Sequence, residues 1–341
     1  MTMMNKGFAL NLIEDIEVGF EPRLSIIEKP LKPLKKGQVR VKMLASPVNP
    51  SDLVYLRGQY GIPPEEKAFA GFEGCGVVVE ANAGLYGKWL TGKRVAIAAQ
   101  PGEDGVWAQY AVTMASFCLP VRKDISDVQA STIIVNPCTV VCLMERALQL
   151  GAKAVVINAA ASQVGKGLIR YAKIIGMPTI ATVRSEANVK VLKALGATQV
   201  LLTIDDDFGE QLKQVSKQYQ ASVLLDAVAD KDTANVLRYM RDGSTAVVYG
   251  RLQESHDPLG GRFSVADVIF RNMHIEGFWL ARFMRRASLW QAIKLNRKVQ
   301  KLFADGIFQT DIRSEVGFDD FISELIHYAD NKSDGKVILK P

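Results

Sequence analysis

The sequence predicts an α/β protein in which a doubly wound parallel sheet is joined to a second, irregular and β-rich domain. Three observations carry this. From about Ala154 onward, short continuously apolar runs alternate with amphipathic helical stretches. Residues 1 to about 125 show instead brief β-like stretches separated by turn formers. The length, 341 residues, exceeds one ordinary domain.

In the first region, residues 39–45 (VRVKMLA) begin by alternating apolar and charged side chains, the period of a half-buried strand. Residues 76–80 (GVVVE) and 94–99 (RVAIAA) read as two more strands, bounded by turns such as TGK and PGEDG. In the second region, residues 154–160 (AVVINAA) form a run suited to a strand buried on both faces. A helix follows, with Val164, Leu168, Tyr171, Ala172 and Ile175 on one face and Lys166, Arg170 and Lys173 on the other. Strands at 179–183, 199–202, 222–228 and 244–250 then alternate with helices around 187–195, 208–218 and 232–240. Residues 273–280 could add a sixth strand. The remainder is helical and basic, ends in a strand-like KVIL, and is expected to return to the first domain. The expected limits are thus 1–125 and 280–341 for one domain and 126–279 for the other.

Composition narrows the class. Apolar residues at 48% and charged residues at 23% exclude a disordered chain, a collagen-like fibre and a coiled coil. The net charge of +6 suits an anionic ligand, and no recognition motif or aromatic platform points to nucleic acid as a partner. Four cysteines (75, 118, 138, 142) form no CxxC pair, which points to a reducing compartment. No run of about 18 apolar residues predicts a membrane span. With no targeting pattern in MTMMNKGFALNLIED, the expectation is a soluble, cytoplasmic protein.

The chemistry-bearing turn is NAAASQVGKG, residues 158–167, after the first parallel strand and at the start of its helix. Such a turn brings backbone N–H groups and a helix N-terminus to a pyrophosphate, which requires small residues. Ala160, Ser162 and Gly165 stand at the three positions of GxGxxG, and only the last is glycine. An ordinary strand–helix turn is the alternative. The second strand ends in TVRSE: Arg184 would pair with a 2′-phosphate, which favours NADPH over NADH, or else is a solvated loop charge.

Seven stretches together resemble the medium-chain dehydrogenase/reductase superfamily, and within it the zinc-independent 2-enoyl thioester reductases of mitochondrial type and NADPH:quinone oxidoreductases. They are 49–64 (NPSDLVYLRGQYGIPP), 70–78 (AGFEGCGVV), 135–141 (VNPCTVV), 158–165 (NAAASQVG), 248–252 (VYGRL), 276–280 (EGFWL) and 334–339 (DGKVIL). The resemblance implies a Rossmann domain for the cofactor and a GroES-like catalytic domain. Asn49 and Phe72 replace the Cys and His that ligate catalytic zinc in the alcohol dehydrogenases, and residues 80–117 contain no Cys for a structural zinc lobe. No metal site is expected. Cys138 and Cys142 read as a packed apolar pair.

The resemblance further implies that Tyr60 is the acid, hydrogen-bonded to substrate while hydride reaches the β-carbon; an aromatic that covers the cleft is the alternative. It places Asn136 near the nicotinamide, Ala161, Ser162, Gln163 and Val164 at the pyrophosphate, and Arg184 and Ser185 at the adenosine phosphate. Tyr249, Gly250, Arg251 and Leu252 would line the nicotinamide side with Phe278, Trp279 and Leu280. Lys336 would reach the cofactor, although Arg251 and Lys336 also read as surface charges. Val140 and Val141 depart from the TAY of many relatives, and Gln163 from a common glycine. A basic stripe, Arg282, Arg285, Arg286, Lys294, Arg297, Lys298 and Lys301, is either a solvated helix face or a receiver for coenzyme A phosphates or an acyl carrier protein. A homodimer paired along 273–280 is implied. The reaction expected is reduction of a 2-enoyl thioester, with a quinone as the alternative acceptor and a non-catalytic NADPH-binding regulator as the alternative from another class.

Overall fold

Burial along the strands shows how the chain sorts itself. The structure, a computed structural model, describes residues 3–100, 103–252 and 260–341; the first two residues of the PGEDG turn and His256 lie outside them. Two units result: Met1–Val135 with Gln300–Pro341, and Asn136–Val299.

The first unit opens with β1 (Met4–Leu10) and β2 (Leu24–Pro30), an antiparallel pair. There follow β3 (Gln38–Pro47), α1 (Pro50–Leu56), β4 (Glu73–Ala81), α2 (Gly84–Leu90), β5 (Arg94–Ala98), β6 (Tyr110–Met114), β7 (Leu119–Pro120) and α3 (Asp127–Ser131). The second unit holds most of α4 (Val135–Gln149), then β8 (Ala154–Ile157), α5 (Gln163–Ile174), β9 (Thr179–Val183), α6 (Ala187–Leu195), β10 (Gln199–Leu202) and α7 (Phe208–Tyr219). It continues through β11 (Ala221–Asp226), α8 (Asp230–Tyr239), β12 (Thr245–Val248), α9 (Val265–Phe270), β13 (His274–Gly277), α10 (Leu280–Arg286) and most of α11 (Leu289–Ala304). The chain then supplies β14 (Ile312–Val316), α12 (Phe321–Asp330) and β15 (Lys336–Leu339) to the first unit.

In the first unit the sheet runs β14-β15-β3-β4-β5-β7, with β6 also on β3. The C-terminal strand joins it directly, Ile338 opposite Pro47 and Leu339 opposite Ser46. The half-buried pattern expected at 39–45 is not what forms: β3 is central, and even Arg40 is 6% exposed, its Nε donating to Glu80 at 2.8 Å. Beneath lie Phe8, Trp107 and Phe321, the last two edge to face at 4.9 Å. Gly71, at φ +94°, is there by necessity, because a Cβ would stand 2.4 Å from the Trp107 ring.

The second unit is a six-stranded parallel sheet in the order β10-β9-β8-β11-β12-β13, the doubly wound arrangement expected. All four residues of β8 and all five of β9 are buried, as two covered faces require. On α5 the buried face is Gly165, Gly167, Leu168, Ile169, Tyr171 and Ala172; Ile175, expected on it, lies past the helix end and is 37% exposed. The unit limits also differ from 125/126 and 279/280. Short-range bonds explain this: Arg94 pairs with Asp127 at 2.7 Å on one side of the division, and Lys298 with Glu145 at 3.0 Å on the other.

Candidate active site

In a doubly wound sheet the order reverses at one point, and ligands bind beyond the carboxyl ends of the strands there. Here that point separates β8 from β11. Asn158, 1% exposed, directly follows β8 and ties it to the end of β11: its Nδ2 donates to Asp226 at 2.5 Å and to Asp232 at 2.7 Å, and its Oδ1 accepts from Ala227 N–H at 2.7 Å. Asp226 in turn accepts from Val228 and Ala229 N–H, both at 2.9 Å, and from the Thr233 hydroxyl. Burial raises the Asp232 carboxyl above its ordinary range, opposed by the bond from Asn158.

Onto this frame the turn sets the start of α5. Ser162 is its N-cap and accepts from Gly165 N–H at 3.1 Å. A Cβ on Gly165 would meet the Ala160 carbonyl oxygen at 2.5 Å, so the helix abuts the turn only because this residue is glycine. Ala161, Ser162, Gln163 and Val164 thus form the turn and first helical residues after β8. Arg184 and Ser185 follow β9 and are exposed, Tyr249 to Leu252 follow β12, and Phe278 to Leu280 follow β13. These residues, a part of those predicted to touch the dinucleotide, therefore all follow the carboxyl ends of strands of one parallel sheet. Their fit to it has a second sign: the Tyr249 hydroxyl is buried and has no hydrogen-bond partner among the described residues, an orphan that a bound polar group would satisfy.

Three predicted residues are placed otherwise. Arg251 is pinned rather than free, its Nε donating to Asp230 at 3.0 Å. Asn136 opens α4 and is half-buried. Lys336 is no surface charge: it is 1% exposed, in the first unit, with Nζ donating to the Val48 carbonyl at 2.9 Å and to Asn49 Oδ1.

That lysine completes a network the sequence reading did not see. Asn49 Nδ2 donates to Glu73 at 3.0 Å, and the other Glu73 oxygen accepts from Ile134 and Val135 N–H at 3.0 and 2.8 Å. Asp52, at the third position of α1, accepts from Asn49 N–H at 2.7 Å and from Phe72 N–H at 3.0 Å. All four residues are at most 1% exposed. Burial pushes Asp52 up to about 7 and raises Glu73, while it lowers Lys336 to about 8 against the pull of both carboxylates. The only hint in the sequence was an acid inside an apolar run, in SDLV and GFEGCGV.

Tyr60 stands beside this network in an aromatic group. Its ring lies 4.9 Å from Phe72 and 6.4 Å from Tyr55, and Phe72 is held by Asp52 through its backbone N–H. The four cysteines are buried and form no disulfide among the described residues; burial drives Cys75, Cys118 and Cys142 up to about 12, so these thiols are not nucleophiles. The basic stripe does not survive folding as one feature, since α10 and α11 are separate helices, Lys298 pairs with Glu145 and Lys301 with Asp305 at 2.5 Å.

Comparison with known proteins agrees with this architecture. Residues 35–123 match the alcohol dehydrogenase GroES-like domain, and residues 164–295 match the zinc-binding dehydrogenase family. The mitochondrial enoyl-[acyl-carrier-protein] reductase of Bos taurus is 32% identical over 299 residues, 85% of this chain and 77% of the relative. A candidate NADPH:quinone reductase from Mesorhizobium loti superposes with a TM-score of 0.89 at 32% identity, over 100% of both chains. The complex of Etr1p with NADP and crotonyl-CoA gives a TM-score of 0.82 at 21% identity over 99% of this chain and 100% of that one, a likeness of fold. The protein is a two-domain oxidoreductase. It belongs to the medium-chain dehydrogenase/reductase family. Zinc, which the name of one matching family implies, finds no fitting donors at Asn49 and Phe72: the amide nitrogen is given to Glu73 and Phe72 offers a phenyl ring. Among the described residues no group of three or more His, Cys, Asp or Glu could hold a metal ion, and no helix is long and apolar enough to cross a membrane.

Proposed function

We propose that this protein is a zinc-independent, NADPH-dependent reductase of the activated C=C bond of a 2-enoyl thioester. The observation that carries the reading is the gathering of the phosphate turn, Arg184 and the orphan Tyr249 hydroxyl at the carboxyl ends of the parallel strands, with an arginine where an NAD-specific site has an acid. The enoyl reductase among the relatives, at 32% identity over 85% of the chain, supports the substrate class.

When bound, NADPH supplies the hydride for the β-carbon. The chain's own residues do the rest. The N-terminus of α5, capped by Ser162, holds the pyrophosphate through backbone N–H groups, and Arg184 holds the 2′-phosphate. Tyr60 hydrogen-bonds the thioester and gives its phenolic proton to the α-carbon, directly or through water; an enolate is a stronger base than a phenolate, so the transfer runs downhill. The phenolate recovers its proton from solvent. The Asp52–Phe72 bond keeps the aromatic group that holds Tyr60 in place.

A second reading, reduction of a quinone, is favoured by the Mesorhizobium loti relative and uses the same cofactor residues. NADPH oxidation measured side by side with crotonyl-CoA, a longer 2-enoyl-CoA and several quinones separates the two. Turnover of the thioesters, reduced roughly a hundredfold by Tyr60→Phe, is the expected outcome. Turnover of quinones alone would reject the thioester, and NADPH binding without any Tyr60-dependent turnover would leave a non-catalytic binder. The exposed edge strand β13 is the surface along which a second copy would pair to give a homodimer. A cytoplasmic location belongs to the same reading and is supported by four cysteines that form no disulfide among the described residues.

A further inference from the structure

Helix α2, in the first unit, turns most of its apolar bulk outward. Gly87 and Leu90 are buried, whereas Leu85 is 85%, Trp89 53% and Tyr86 46% exposed. The Tyr86 and Trp89 rings stack at 5.6 Å, and the Lys93 ammonium stands 4.4 Å from the centre of the Trp89 ring. A single exposed apolar side chain is ordinary, but these three belong to a larger surface. Backbone bonds at Gly37 bring two other segments to it. Gly37 N–H donates at 2.7 Å to the carbonyl of Asn82, two residues before α2, and the Gly37 carbonyl accepts from Ala115 N–H at 2.9 Å. Asn82 Nδ2 further donates to the Leu34 carbonyl at 2.9 Å. The first of these segments is the loop 31–37 (LKPLKKG), on which Lys32, Lys35 and Lys36 are exposed. The second is the 3-10 turn Ala115–Phe117, whose Phe117 is 42% exposed.

The charge on this surface has one sign. Residues 29–51, 81–100 and 115–123 contain no Asp or Glu. The acids that flank the middle stretch are already engaged, Glu80 by Arg40 at 2.8 Å and Glu103 by Lys35 at 3.1 Å. The remaining arginines of these stretches are engaged too, Arg94 by Asp127 and Arg122 by Asp124. What the surface offers to solvent is lysine, with Lys32, Lys36 and Lys88 all exposed. Lysine beside Trp, Tyr and Leu distinguishes between partners. Protein interfaces favour arginine and are depleted in lysine, whereas a bilayer surface takes lysines at its headgroups and Trp and Tyr at the boundary beneath them. A free phosphate would leave the apolar half without a use. We infer that α2 and the loop 31–37 dock this protein on an anionic lipid bilayer, with Leu85 and Trp89 at the outer ends of the acyl chains and the lysines on the headgroup phosphates. Peripheral docking of this kind needs no spanning helix. It stands apart from the reductase reading and does not depend on it.

The test sediments the full chain with vesicles of phosphatidylcholine alone and of equimolar phosphatidylcholine and phosphatidylglycerol. The wild type should pellet with the anionic vesicles only, and added salt should release it. L85E/W89E should lose roughly tenfold or more of that binding, and K32E/K36E roughly fivefold for each lysine replaced. NADPH affinity and melting temperature should stay unchanged in both, since all four side chains are exposed. A measurement on the wild type stands beside the variants: phosphatidylcholine brominated on its acyl chains, mixed into the anionic vesicles, should quench Trp89 fluorescence, and that quenching should vanish in Trp89→Phe. No binding by the wild type, undiminished binding by L85E/W89E, or no quenching of Trp89 would each overturn the inference. Binding lost in K32E/K36E but kept in L85E/W89E would reduce the surface to a site for polyanions. If the wild type ignores vesicles while L85E/W89E splits a larger assembly in light scattering, the face belongs to a second copy of the chain instead.

Discussion

The two buried polar networks solve the same problem by different means. At Asn158, carboxylates are satisfied by an amide, a hydroxyl and backbone N–H groups of the β8 and β11 turns, all neutral donors fixed by the sheet. At Asn49, two carboxylates depend on one ammonium, and Lys336 comes from the far end of the chain. The first network is a rigid bracket beside the phosphate turn. The second is a charge balance in which removal of one member changes the ionisation of the others.

If that distinction is right, the largest effect belongs to the charged network. Lys336→Met leaves Asp52 and Glu73 buried without a countercharge and should cost roughly 3–5 kcal/mol, read from the shift in urea midpoint. Asn158→Ala should cost less, about 1–3 kcal/mol, because Ala227 N–H and two carboxylates lose a neutral partner while no countercharge is removed; NADPH affinity should fall with it in a titration. Equal losses in the two variants would erase the contrast.

The pH dependence of stability sharpens it. Asp52 is raised from 3.8 to about 7, so the native state holds that proton more tightly than the unfolded chain does. Its contribution is complete below about pH 4 and is lost as pH rises through about 7. Lys336 is lowered from 10.5 to about 8, so its penalty is relieved as pH climbs above 8. The melting temperature should fall between pH 5 and pH 7, and Asp52→Asn should flatten that slope; an unchanged slope would remove Asp52 as its source. The smallest change in stability is expected at the exposed Arg184. Arg184→Ala should leave melting unaltered yet lower the NADPH-over-NADH preference by roughly tenfold in kcat/KM; a preserved preference would take Arg184 out of the 2′-phosphate site.

Much of the second unit was legible because its signals are local. Each parallel strand is an apolar run buried on both faces, and each helix shows its period within a few turns, so α6 and β9 fall where the periodicity puts them. That Gly165 and Arg184 stand just past strand ends could be read from the same pattern. The first unit was less legible. Arg40 looked like the solvent face of a half-buried strand, and only the pairing of β3 with β4, β6 and β15 buries it against Glu80.

The sequence by itself determined the alternation of strands and helices, the absence of Cys and His at Asn49 and Phe72, and the small residues of the phosphate turn, since these depend on residue type and near neighbours. Tertiary structure alone decided that Lys336, 287 positions from Asn49, is a buried charge and not a surface one. It also decided that Lys298 and Lys301 are paired with Glu145 and Asp305. Whether a charge is solvated, paired or buried depends on what long-range contacts bring to it, and no periodicity along the chain encodes that.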